Sequence, residues 1–175
     1  MLFRSRTAEQ VNIAMFWAKG AGTSSISGFW NVMATGWIDE SGLREREATH
    51  VFALLDAAMM DAAIGCFDAK VTYWFIRPPQ ADPAIKLIPA IGLPNHPSYP
   101  SAHSCFSGAA VETLSAFFPA KTDSLNAMVT EAGLARIYAG IHYRFDVDVG
   151  QQLGRQVARF VGEVDRSRGS VVAVR

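Results

Sequence analysis

The sequence has no excess of charge of either sign, with Lys and Arg together at 16 and Asp and Glu together at 16. It therefore lacks the basic surplus that nucleic acid or an anionic membrane surface calls for. Cysteine is scarce: Cys66 and Cys105 stand alone, and their separation fits no metal or redox motif. Both fall in apolar helical runs and read as buried free thiols, so nothing points to an oxidising compartment. Residues 1–6 lack the apolar core of a signal peptide. The most hydrophobic run, 51–67, is interrupted by Asp56 and Asp61, short of the roughly 20 clean apolar residues of a membrane span. The expectation is a soluble protein, cytoplasmic by its missing leader. Strand-like alternation and internal repeats are absent too, which predicts an all-α chain folded as one domain, 1–175.

What is present is a series of helical patterns. Thr7 and Gln10 form a capping box ahead of a stripe that ends before Gly20. A short helix is expected through Trp30 and Val32, stopped by Gly36, and then a long run from Leu43 to about Ile76. Gly65 is a candidate break in that run, and Pro78 and Pro79 close it. Residues 80–99, rich in proline, read as an ordered loop. Helices follow over 102–118, from Thr122 or Asp123 to Glu131, over 134–141 after a joint at Gly133, and from about Asp146 to Val161. The core with the functional residues is placed at about 43–162, and 163–175 as a fraying tail.

The chain is organised around Pro97–Ser104. Ser101 is placed to cap the helix that follows, whose free backbone N–H groups can receive an anion, and His103 stands in its first turn. Lys70 and Arg77 are seven apart in one expected helix and could lean toward one pocket, or lie along a solvated edge. His142 and Asp146 at i,i+4 are either a surface pair or a carboxylate holding an imidazole in one tautomer. Arg136 can face the same ligand as His142 only if the chain bends between them, and Gly140 is the place. Together they make a receptor for a tetrahedral oxyanion, with two histidines for nucleophilic and acid–base work.

Other readings are weaker. His96 and His103 lack the spacing of a helical zinc pair, and His50 reads as exposed. Ser101 lacks the glycine-flanked turn of a serine nucleophile. Asp61, if buried in its apolar helix, would need a partner.

Lys70-x6-Arg77-Pro78, Pro100-Ser101-Ala102-His103 and Arg136-x5-His142-x3-Asp146 resemble the three signature motifs of one superfamily. It unites type 2 phosphatidic acid phosphatases, bacterial acid phosphatases and vanadium-dependent haloperoxidases. The resemblance implies a helical bundle in which Lys70, Arg77 and Arg136, helped by Ser101 and the Ala102 N–H, bind non-bridging oxygens. It implies His142 as nucleophile toward phosphate or as the ligand of vanadate, Asp146 as its orienting group, and His103 as general acid–base. Two positions depart from the pattern: Ala102 stands where glycine is usual, and Ala135 where serine precedes the arginine. Neither removes a charge. His96-Pro-Ser-Tyr-Pro-Ser, with the residues around Arg136 and His142, is most similar to the haloperoxidase-like bacterial branch. That branch implies vanadate as cofactor, with peroxide and halide as substrates and Lys70 as the catalytic group that polarises the bound peroxide. The alternatives are a soluble phosphomonoesterase needing no cofactor and a non-catalytic binder of phosphate or vanadate. Relatives carry a longer helical region before the first motif. The expectation is therefore a short version, or one without N-terminal helices, whose exposed apolar face a second copy would cover.

Overall fold

The computed structural model describes residues 5–20 and 22–169, so part of the leader reading and the end of the tail fall outside it. The described residues are helical, without a strand: α1 (Ala8–Phe16), α2 (Ser25–Glu40), α3 (Glu45–Tyr73), α4 (Pro78–Ala81), α5 (Ala102–Phe117), α6 (Thr122–Tyr138) and α7 (Arg144–Ser167). The all-α expectation holds. A 3₁₀ turn at Pro119–Lys121 joins α5 to α6, where proline stops the former.

Local chemistry explains most boundaries. Thr7 and Gln10 exchange reciprocal bonds at the start of α1, as their spacing predicts. The Glu47 carboxylate accepts from the Arg44 backbone N–H and starts α3. Three glycines expected to interrupt helices do not. Gly36 lies inside α2 and Gly65 inside α3, while Gly133 sits within α6 because α7 lies against it. The end of α3 also differs from expectation. Trp74 takes the left-handed conformation (φ 47°, ψ 43°) and stops the helix before the prolines. Lys70 and Arg77 are consequently not on one helix, and Arg77 is the extended residue before α4.

The core forms where α3, α5 and α7 pack together, with α2 and α6 closing its sides. Small residues set the closest approach. A Cβ at Gly154 of α7 would lie 2.1 Å from the Cys105 carbonyl oxygen of α5, and one at Gly150 would lie 2.8 Å from the Ser101 oxygen. The starts of α5 and α7 are thereby brought side by side, and Ser101 N–H donates to the Asp146 carbonyl at 2.9 Å. Cys66 and Cys105 are buried free thiols behind this junction.

The outer face of α3 and the turn after it carry exposed Met60, Ile64, Phe67, Val71 and Trp74 at three- and four-residue spacing. Among the described residues, the segment Glu45–Ala81 is long and apolar enough to cross a membrane by length and composition, and 33% of its apolar window is buried in the protein. Asp61 lies exposed rather than buried in this helix. His50 is not simply exposed either: its Nε2 is 3.1 Å from the Asp165 carboxylate.

Gly154→Ala should lower stability by about 1–3 kcal/mol through forced separation of α5 and α7. Gly36→Ala, with nothing within 4 Å of the new methyl, should raise it by about 0.5–1 kcal/mol. Thermal unfolding of the two variants checks the contrast.

Candidate active site

Three chain segments meet at the α5–α7 junction. Ser101 is extended and precedes α5, as expected for a cap, but its hydroxyl makes no capping bond. The Ser101 Oγ is buried without a partner, as are Arg136 Nε and Asp146 Oδ1. His142 lies just before α7, after a chain reversal at Gly140, whose φ of +78° suits glycine. That bend turns His142 toward the same pocket as Arg136 at the end of α6. His103, Ala102, Arg136 and His142 line a pocket of about 370 Å³.

Asp146 is wholly buried and holds the His142 ring. Its Oδ2 accepts from His142 Nδ1 at 2.9 Å, from Ser98 Oγ at 2.5 Å and from the Tyr143 backbone N–H at 3.0 Å. Nδ1 therefore carries the proton and Nε2 keeps its lone pair, which Arg77 Nη1 approaches at 3.3 Å. Burial, with Arg77, Lys70 and Arg136 nearby, pushes the His142 pKa well below the usual histidine range. His142 is a neutral, oriented imidazole.

The cations are held mainly by backbone carbonyls. Lys70 Nζ donates to Pro97, Ser98 and Pro100 at 2.8, 3.0 and 2.5 Å, which uses all three of its protons. Arg77 donates to the carbonyls of His96 (3.1 Å) and Ile141 (2.6 Å). Arg136 Nη2 donates to Ala14 at 3.2 Å. Burial, then mutual repulsion with Arg77, lowers the Lys70 pKa to about 8, although nearby thiols and Asp146 oppose this. Burial likewise lowers Arg77 and Arg136 to about 10. His103 is also pushed well below its usual range, by burial and then by Arg136 and His142.

Two participants, His96 and Ser98, were given no role at the anion site from the sequence. His96 Nδ1 lies 3.2 Å from Arg77 Nη2, and its ring separates the pocket from a groove lined by Phe67, Val71, Trp74 and Leu93. Ser98 supports Asp146. Both stand inside or beside the Pro97–Ser104 stretch, which was the available signal. Lys70 and Arg77 line the groove rather than the pocket, and Arg77 reaches the pocket only through His142 Nε2. A separate cavity of about 510 Å³ beside His50 and Asp165 gathers none of the motif residues.

Residues 50–166 match the PAP2 superfamily, and the chain belongs to it. The fold is that of a bacterial vanadium-dependent iodoperoxidase, with TM-score 0.78 and 26% identity over 89% of this chain and 44% of the other. The chain thus spans less than half the length of that protein. It is also similar to Aquifex aeolicus LpxE (TM-score 0.68, 19% identity, 93% of this chain and 90% of that one). A transmembrane PAP2-type phosphatidylglycerolphosphate phosphatase from Bacillus subtilis shares the fold at TM-score 0.69 and 14% identity, over 98% and 84% of the two chains. No curated protein matches the sequence. Superfamily members include phosphatases and haloperoxidases, and all of these neighbours share the helical architecture.

Neutral burial of His103 and His142 has a consequence for acid stability. Their folded pKa values lie below the unfolded value, so the unfolded chain binds more protons once pH falls through about 6.5. Stability present above that pH is then lost, by up to about 1.4 kcal/mol per pH unit for each histidine. Urea unfolding between pH 7 and 5 should show this slope, and His103→Asn with His142→Asn should flatten it.

Proposed function

We propose that this protein is an oxyanion-site enzyme of the haloperoxidase-like branch, oxidising halide with hydrogen peroxide when vanadate is bound. The observation that carries the reading is the His142 ring, neutral and fixed by buried Asp146, with its Nε2 lone pair turned toward Arg77. The 26% identity to the iodoperoxidase supports the branch. The donor set suits vanadate: an imidazole nitrogen for the metal, buried cations for its oxygens, and unpartnered Ser101 Oγ and Arg136 Nε as further donors. When bound, that group supplies activation of peroxide toward attack by halide.

The protein's own part follows from its geometry. Arg77, Arg136 and Ser101 hold oxyanion oxygens, with the Ala102 N–H at the start of α5. Lys70 holds the 97–100 loop and adds positive potential, and a direct contact with the ligand requires it to exchange one carbonyl partner. His103 takes and returns protons at the pocket. Its proton affinity rises when an anion offsets Arg136, so anion binding draws a proton to the site. The exposed stripe on α3 is apolar enough to be covered by a second copy. The enzyme is read as soluble.

A second reading uses the same atoms. His142 Nε2 attacks a phosphate monoester, the ester P–O bond breaks, and His103 protonates the leaving oxygen. Water then hydrolyses the phosphohistidine. The observation favouring it is the groove of Phe67, Val71, Trp74 and Leu93 beside Arg77, which suits the organic group of an ester.

Protein stripped of phosphate should brominate or iodinate a dye with peroxide only after vanadate is added, and His142→Ala should abolish this. Hydrolysis of a chromogenic phosphate ester, blocked by vanadate and without halogenation, would replace the lead reading with the second. Turnover that survives His142→Ala would remove both. Phosphate affinity should also fall above pH about 8, as Lys70 releases its proton; calorimetric titration from pH 7 to 9.5 measures it.

A further inference from the structure

His103 meets a backbone carbonyl from the N-terminal end of the described chain. Its Nε2 lies 3.0 Å from the Trp17 carbonyl oxygen and 3.5 Å from Arg136 Nη1. A carbonyl only accepts and a guanidinium only donates, so the two neighbours ask opposite things of Nε2. The carbonyl is the nearer, and a lone pair at Nε2 would set two acceptors against each other at 3.0 Å. Nε2 therefore carries the proton and donates to Trp17, which leaves the lone pair on Nδ1.

Trp17 is itself fixed. Its ring is buried against Phe29 and Trp30, and its indole N–H donates to Glu131 Oε1 at 2.9 Å. One turn back, the Ala14 carbonyl accepts from Arg136. The carbonyl end of α1, carrying the partial negative charge of a helix C-terminus, thus touches both His103 and Arg136. Residues 14–17 lie outside the 50–166 segment that carries the superfamily match.

We propose that α1 is a working part of the site: the Trp17 carbonyl, anchored through Glu131, fixes His103 as the Nε2–H tautomer and leaves the Nδ1 lone pair to take up and return the proton exchanged with the bound anion. The two histidines are then held in opposite senses. Asp146 accepts from the Nδ1–H of His142 and leaves the lone pair on Nε2, while the Trp17 carbonyl accepts from the Nε2–H of His103 and leaves the lone pair on Nδ1. Trp17 and Glu131 are positioning residues, since neither lines the pocket. The Trp17 bond also favours protonation of His103, against the burial and neighbouring charges that oppose it. The consequence for turnover rests on the function proposed above, whereas the tautomer does not.

The test is imidazole nitrogen NMR on the full chain labelled in histidine, with His103 assigned by the signal lost in His103→Gln. The expected result is the Nε2–H tautomer for His103 and the Nδ1–H tautomer for His142. Glu131→Ala should convert His103 to a mixture and lower turnover about tenfold, with little change in affinity for inorganic phosphate. Glu131→Gln, whose amide oxygen can still accept from the indole, should restore both. His103 found as Nδ1–H in the unsubstituted protein, or unchanged in Glu131→Ala, overturns the proposal whatever the activity. Loss of all turnover in the unsubstituted protein, with His103 still in the Nε2–H form, would overturn the functional reading and leave this one standing.

Discussion

Three buried cations share one buried carboxylate, and the architecture is arranged to make that tolerable. Lys70, Arg77 and Arg136 are at most 2% exposed, and Asp146 is the lone buried carboxylate among the described residues. Uncompensated charge in a protein interior is expensive, and the cost rises when like charges are near one another. Backbone carbonyls carry most of the compensation here. The loop at 96–100 turns four carbonyl oxygens toward Lys70 and Arg77, while Ile141 and Ala14 supply two more to the arginines. Carbonyl dipoles solvate a cation without neutralising it. The positive surplus that remains is what a tetrahedral oxyanion would offset.

The glycine contacts between α5 and α7 serve the same end. Bulkier side chains at 150 and 154 would move the start of α5 away from Asp146, and the Ser101 and His142 segments would part. The reversal at Gly140 and the left-handed Trp74 do the corresponding work for Arg136 and Arg77, by turning the chain where a continuous helix would aim these side chains apart. Short-range backbone features, rather than long helices, bring the residues together.

Much of this was legible in the sequence. The all-α class, the capping box at Thr7, the bend at Gly140 and the grouping of the three motif segments follow from residue types and spacing. The glycine breaks at 36, 65 and 133 did not occur, because one glycine costs a helix only about 1 kcal/mol, and at 133 a residue without a side chain is what a close helix neighbour demands. The Lys70–Arg77 helix failed for the opposite reason. A left-handed tryptophan is disfavoured locally and is imposed by the surroundings. Asp61, among apolar neighbours, and His50, among polar ones, show that sequence neighbours do not fix burial, which depends on which face a helix turns inward. The carbonyl partners of the cations, and Trp17 above His103, carry no signal in residue identity at all. Every residue has a carbonyl, and only the fold says which one points at a charge.

The central claim is that one anion binds at His142 Nε2, between Arg77 and Arg136. A crystal structure of the full chain grown with orthovanadate tests it most directly. The account predicts vanadium bonded to His142 Nε2, with its oxygens taking donors from both arginines and Ser101. Vanadate seated instead against Lys70 in the apolar groove, or at the cavity beside His50, would contradict it.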